Sequence, residues 1–229
     1  MRDLSAGCRL YLGLVAFCLF GTALSRFGNV DPGLIAPVTA LVTLMLGFYV
    51  VGREYAQTGG WGPVAGIAIF GGFVEGVGVA TGWPFGAYYY TDRWFPTQWL
   101  GQGRLPMQVP FAWALVTLGS LGVARLVPAL RSNIFLISVA AGLVAALVDL
   151  VMEPVMTGPL SYWHWNPLGP LPGGAPLANF FGWWGTAAAG AAIAAWFLRC
   201  KCAESRESIL TLSGHLALVL GIGLISVVA

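Results

Sequence analysis

Residues 133–154 read NIFLISVAAGLVAALVDLVMEP. No charged residue stands between Asn133 and Asp149, and the run approaches the ~20 residues that an α-helix needs to cross the hydrocarbon core of a bilayer. It ends in two acids four residues apart, Asp149 and Glu153, followed at once by Pro154. The apolar run sets the fold as membrane-spanning helix. The acids set the functional question, because an ionisable side chain at membrane depth is costly and marks a site by default.

Six further segments have the same character: 8–25, 33–51, 62–82, 108–127, 178–198 and 208–228. With 133–153 they make about seven spans. The whole chain agrees: of its 229 residues 58% are hydrophobic and 9% charged, where a soluble domain has about 45–50% apolar and about 25% charged residues. The expectation is an all-α, polytopic integral membrane helix bundle of about seven transmembrane helices, forming a single transmembrane domain over 1–229. The net charge is +2 and no basic run occurs, so nucleic acid is not an expected partner, whereas membrane lipid is. Cys8, Cys18, Cys200 and Cys202 form no C-x-x-C pair and read as reduced thiols or small core residues. The first apolar run reads as a retained helix rather than a cleaved signal.

Lys and Arg concentrate on the cytoplasmic side of membrane proteins. Alternating the spans puts Arg2, Arg9, Arg53, Arg125, Arg131, Arg199, Lys201 and Arg206 on one side, and Arg26, Arg93 and Arg104 on the other. A multi-pass protein of the cell membrane with a cytoplasmic N-terminus is therefore expected. In that arrangement Glu75, Asp149, Glu153 and the two long connections, 83–107 and 154–177, fall in the outer half.

Glu75 stands in FGGFVEGVGVATG, where helical spacing puts Gly71, Gly78 and Gly82 on its face and Gly72 and Gly76 on a second small stripe. Two readings stand: close helix packing with Glu75 hydrogen-bonded to a neighbour, or a carboxyl facing a cavity that the glycines leave open to a flat, rigid ligand. The second is preferred on the general rule for intramembrane acids. Asp149 and Glu153 share a face with Gly142 and Ala145. Pro154 disfavours α geometry at the residue before it, so the helix is expected to end there, with Glu153 near the boundary and Asp149 one turn deeper. Carboxyls crowded in low dielectric cannot all ionise, and a retained proton is what general acid catalysis uses.

The connections carry aromatics in clusters: Tyr88, Tyr89, Tyr90 and Trp94, then Tyr162, Trp163, His164 and Trp165, then Asn179, Trp183 and Trp184 at the start of the sixth span. They suit an interfacial belt, and they equally suit a site whose ring faces stabilise a cation or line a polyene. The absences are informative. The chain has two histidines, His164 and His215, and a single lysine, Lys201, with no H-E-x-x-H, Walker or dinucleotide motif. Metal-dependent hydroxylation, a metal centre and a Schiff base inside the bundle therefore have no visible equipment, whereas acid–base chemistry does.

TGWPFGAYYYT (81–91), LPMQVPFAW (105–113), DLVMEP (149–154), YWHWN (162–166) and PLANFFGWW (176–184) occur in that order. Together, over about residues 60–200, they resemble the CruF-type carotenoid 1′,2′-hydratases of the carotenoid biosynthesis family. One departure is GPLPGG at 169–174, where an aromatic residue is expected. The resemblance implies a membrane hydro-lyase that adds water to the terminal C1′,2′ double bond of an acyclic (ψ) end group and gives a 1′-hydroxy tertiary alcohol. The implied substrate is an acyclic or monocyclic carotenoid such as lycopene or γ-carotene, and no cofactor is needed because the redox state does not change. For that reaction the expected proton donor is Asp149, as the more buried acid of its helix, while Glu75 shares the proton or orients water and Glu153 relays protons. Tyr88, Tyr90, Trp163, Trp165, Asn179 and Trp183 are the candidate substrate-binding residues. A carotenoid cyclase, which begins with the same protonation, is the competing enzyme reading. A carotenoid or lipid carrier, or a small transporter, is the non-enzymatic one.

Overall fold

The computed structural model describes residues 4–57, 60–101, 103–197 and 205–228. Arg2, Arg199, Cys200, Lys201 and Cys202, used in the charge and cysteine readings above, lie outside the described residues. Seven α-helices follow the seven apolar segments: α1 (Ala6–Gly28), α2 (Ile35–Ala56), α3 (Gly62–Thr81), α4 (Val109–Ala124), α5 (Ile134–Thr157), α6 (Leu177–Phe197) and α7 (Arg206–Val228). Among the described residues, α1, α2, α3, α5 and α7 are long and apolar enough to cross a membrane, and the protein is a multi-pass membrane protein. Helix α4 is equally apolar but has only 16 residues. Helix α6 is built largely of alanine, glycine and tryptophan and is not one of the five.

Local chemistry sets the helix ends. The Ser5 side chain accepts from the Cys8 N–H at 3.2 Å at the start of α1, and the Asn133 side chain accepts from the Leu136 N–H at 3.1 Å at the start of α5. Helix α3 stops at Gly82, whose φ of +78° is the left-handed conformation that glycine adopts without strain, and whose N–H returns to the Gly78 carbonyl at 2.7 Å.

Helix α7 packs against α1, α2, α4 and α5, while α5 packs most extensively on α6. Small residues make that last contact possible. A side chain at Gly142 of α5 would run into the Trp184 carbonyl and Ala188 of α6, and the Trp184 indole donates across the same seam to the Val139 carbonyl at 3.0 Å. At one end of the bundle the Glu207 carboxylate accepts from the Ser5 N–H and hydroxyl, both at 2.6 Å, and from Arg53 at 3.0 Å. This clamp ties the start of α1, the end of α2 and the start of α7.

The aromatic connections lie at the opposite end, and they are not plain loops. Residues 88–90 (β1) pair antiparallel with 163–165 (β4), and 97–100 (β2) with 103–106 (β3). The helix break expected at Pro154 is also absent. Helix α5 continues through it to Thr157, and Glu153, expected at a solvated boundary, is buried. The steric bias before a proline is a preference only. Here it yields to the hydrogen bonds that Glu153 gains inside. The GPLPGG departure closes over this last turn: Gly173, at φ +69°, has no room for a side chain against the Glu153 backbone and the Thr157 hydroxyl.

The α5–α6 seam depends on Gly142. Gly142→Val is expected to lower stability by about 1–3 kcal/mol, because a helix backbone cannot yield as a side chain does. Gly122→Ala, which adds a methyl group to open space on α4, is expected to be neutral or slightly stabilising. Thermal unfolding of both variants in detergent checks the pair.

Candidate functional site

The short β1–β4 ribbon explains how the aromatic segments are used. Its register pairs Tyr88 with Trp165, Tyr89 with His164 and Tyr90 with Trp163. Side chains alternate between the faces of a strand, so Tyr88, Tyr90, Trp163 and Trp165 share the inner face. Tyr90, Trp163 and Trp165 are buried, while Tyr89 is exposed on the outer one.

Each strand serves a different carboxyl. From β1, the Tyr88 and Tyr90 hydroxyls donate to Glu75 Oε1 at 2.5 and 2.8 Å. From β4, the Trp163 and Trp165 indoles donate to Glu153 Oε2 at 3.2 and 2.9 Å. Burial first, and then the adjoining Glu75, push the Tyr88 and Tyr90 phenols well above their usual range, so both keep their protons and act as donors.

Two further donors complete the cage. The Trp113 indole of α4 donates to Glu75 Oε2 at 2.9 Å. The Asn179 amide, in the first turn of α6, donates to Asp149 Oδ2 at 2.7 Å and to Glu153 Oε1 at 3.2 Å. Glu75 and Glu153 thus each accept from three side chains. Asp149 accepts from one, and its Oδ1 has no partner among the described residues. Asp149 and Glu153 are each 1% exposed. Glu153, expected near the boundary, is thus as shielded from solvent as Asp149, and hydrogen bonding is what most sets the two apart.

The glycine face of α3 also differs from its expected use. It leaves no slot for a ligand, because protein rings fill it. Trp113 packs on Gly71, while Phe85 and the Tyr88 hydroxyl pack on Gly78. Trp113 in turn stacks on Trp183, with ring centroids 4.2 Å apart.

The open space lies beside the cage. A cavity of about 130 Å³ touches Glu75, Glu153, Asn179, Tyr88, Tyr90, Trp163, Trp165 and Trp183. It continues between Met152 and Met156 of α5, Thr43 and Leu44 of α2, and His215 to Ile222 of α7. Eight of the nine candidate residues therefore line one cavity. The ninth, Asp149, stands behind the wall and is tied to it by the Asn179 amide, which it shares with Glu153. Sequence reasoning missed Trp113 and Phe85, and it named Trp94 and Tyr162 only as members of the aromatic clusters; the latter two are stacked in parallel with centroids 5.1 Å apart. The signal for Trp113 and Phe85 was present in Gly71 and Gly78, two helix turns apart, which form sockets for large rings.

The model of the family described as "Carotenoid biosynthesis protein" matches residues 34–229. No curated protein and no solved structure matches the chain.

Among the described residues, Asn179 is the one side chain that donates to both α5 acids. Asn179→Leu keeps most of the volume and removes the donor, leaving buried oxygens unpaired at a cost of about 1–3 kcal/mol. The expected result is a lower unfolding temperature in detergent. Coupling to Glu153→Gln should be non-additive in a double-mutant cycle, since the two side chains are in contact.

Proposed function

The chain belongs to the carotenoid biosynthesis protein family, and on that premise we propose that it hydrates the terminal C1′,2′ double bond of an acyclic carotenoid end group. The observation that carries this reading is the cage: three buried carboxyls from α3 and α5, held by indole, phenol and amide donors, against an aromatic cavity. Five motifs of the hydratase type, in order, supply the specificity of the reaction.

The roles follow from the donors. Glu75 and Glu153 already accept from three donors each, which leaves their oxygens little room for a proton of their own. Asp149, with one donor and a free Oδ1, is the carboxyl that keeps the proton. Asp149 supplies that proton, and Glu153, on the cavity wall, passes it to C2′ as the π bond breaks. The tertiary cation left at C1′ is stabilised by the ring faces of Trp163, Trp165 and Trp183 and by the Glu75 carboxylate. A water oxygen then bonds to C1′, and its surplus proton returns to the carboxyl set. The sum is alkene plus water to tertiary alcohol, with no change of redox state.

The size of the cavity suits an end group rather than a whole carotenoid, which is about as long as the bilayer is thick. The rest of the polyene extends into lipid. The bias of Arg and Lys puts the N-terminus in the cytoplasm and the cage in the outer half of the membrane, within one domain spanning 1–229. One observation favours the cyclase alternative: apart from Glu75, Glu153 and Asn179, the cavity wall around the cage is aromatic and aliphatic, and a dry wall promotes ring closure over capture by water.

Expression in a lycopene-producing host followed by pigment mass analysis separates the readings. Hydration adds the mass of one water, whereas cyclisation leaves the mass unchanged. Asp149→Asn and Glu75→Gln should each lower alcohol formation by about 100-fold or more, the scale of general acid–base catalysis, with the protein still in the membrane fraction. Full activity in both variants would refute the assignment.

A further inference from the structure

The cavity has a second polar level that the carboxyl cage does not use. His215 of α7 lines its inner end and is 3% exposed, and neither ring nitrogen has a hydrogen-bond partner among the described residues. Thr43 of α2 lines the same space, buried at 1% exposure, and among the described residues its hydroxyl meets the Cys18 thiol alone, at 3.8 Å.

This level is distinct from the cage. Gly223 of α7 lies against Val151 of α5. His215 is eight residues before Gly223, which at 1.5 Å per residue sets it about 12 Å deeper along the helix. The surrounding wall is Leu44, Val116, Leu218 and Val219, none of which offers a side-chain hydrogen bond.

A neutral imidazole presents one N–H donor and one lone-pair acceptor, and a threonine hydroxyl presents both functions. In apolar surroundings such groups are rarely left unpaired. A hydroxyl can donate to the imidazole lone pair, or accept from its N–H, and still pair with a threonine hydroxyl. A carboxylate or a carbonyl, being an acceptor only, cannot donate to the imidazole lone pair.

We propose that His215, with Thr43, forms a second polar site at the inner end of the cavity that binds a hydroxyl oxygen, supplied by water or by an alcohol on the end of a polyene. A polar group with at least two such partners in a cavity this size is enough to hold an ordered water. Leu44, Val116, Leu218 and Val219 offer no alternative partner at this depth, so an oxygen that reaches the inner end is retained here. The site stands whether or not the cage performs hydration.

The test uses the full chain in lipid vesicles, carrying ¹⁵N-histidine and the His164→Gln substitution so that His215 is the remaining histidine of the two. Solid-state NMR reads its ring-nitrogen shifts for the protein alone, with an acyclic hydrocarbon polyene, and with its 1-hydroxy derivative. Hydrogen-bonded shifts in the protein alone, with magnetisation transfer from water protons, identify water as the source. Unbonded shifts that become hydrogen-bonded only with the 1-hydroxy polyene identify the alcohol. In either case Thr43→Val moves the signals. Unbonded shifts under all three conditions overturn the proposal. So do hydrogen-bonded shifts with neither water transfer nor a response to the 1-hydroxy polyene, because they reveal a protein partner. None of these signals requires turnover, so they are read independently of the pigment assay.

Discussion

Three carboxyl groups out of reach of water have to be matched by donors within the protein, because an unpaired buried charge costs far more than a lost surface contact. Here the donors are indole N–H groups, phenols and one amide, with no lysine or arginine among them. That choice governs much of the architecture. An indole or phenol brings its donor on a large apolar body, so it can enter a lipid-facing bundle without a desolvated charge of its own. The bodies then need space, and the protein provides it with glycine. Gly71 and Gly78 on α3 receive Trp113, Phe85 and Tyr88.

The same constraint accounts for the ribbon formed by β1 and β4. Two strands of three residues contribute little stability alone. Their value lies in geometry, because alternation delivers Tyr88 and Tyr90 from one strand and Trp163 and Trp165 from the other to a common face. One strand then holds the α3 carboxyl and the other the α5 carboxyl. Two helices distant in sequence are thereby set at a fixed separation, with Asn179 of α6 closing the set from a third side. The helix interior at Pro154 follows from this arrangement too, since an extra turn of α5 keeps Glu153 within reach of both indoles.

In the proposed hydration, unequal satisfaction of the acids is the useful property. Three equivalent carboxylates give no gradient for a proton. A pair rich in donors beside one that has a single donor creates a difference between sites within a few ångströms. The cavity meets the cage on the donor-rich side and extends inward to His215. Proton handling and oxygen retention are thus assigned to different depths of one chamber.

The amino-acid sequence by itself determined that the chain is helical and membrane-embedded, because apolar run length and the scarcity of charge follow directly from the bilayer as solvent. It also determined which residues are exceptional. Acids at 75, 149 and 153 stand out against apolar neighbours, and the aromatic clusters stand out against otherwise short connections. Only the tertiary structure decided what these residues do to one another. The pairing of β1 with β4 spans more than seventy residues, and no local pattern in YYY or WHW specifies it. The depth of Glu153 was misread because a proline rule is local, whereas the indoles that hold Glu153 inside arrive from the far side of a turn. The glycines of α3 read correctly as space but not as sockets. What fills a gap is set by side chains that come from other helices, and long-range packing of that kind is not written in any single segment.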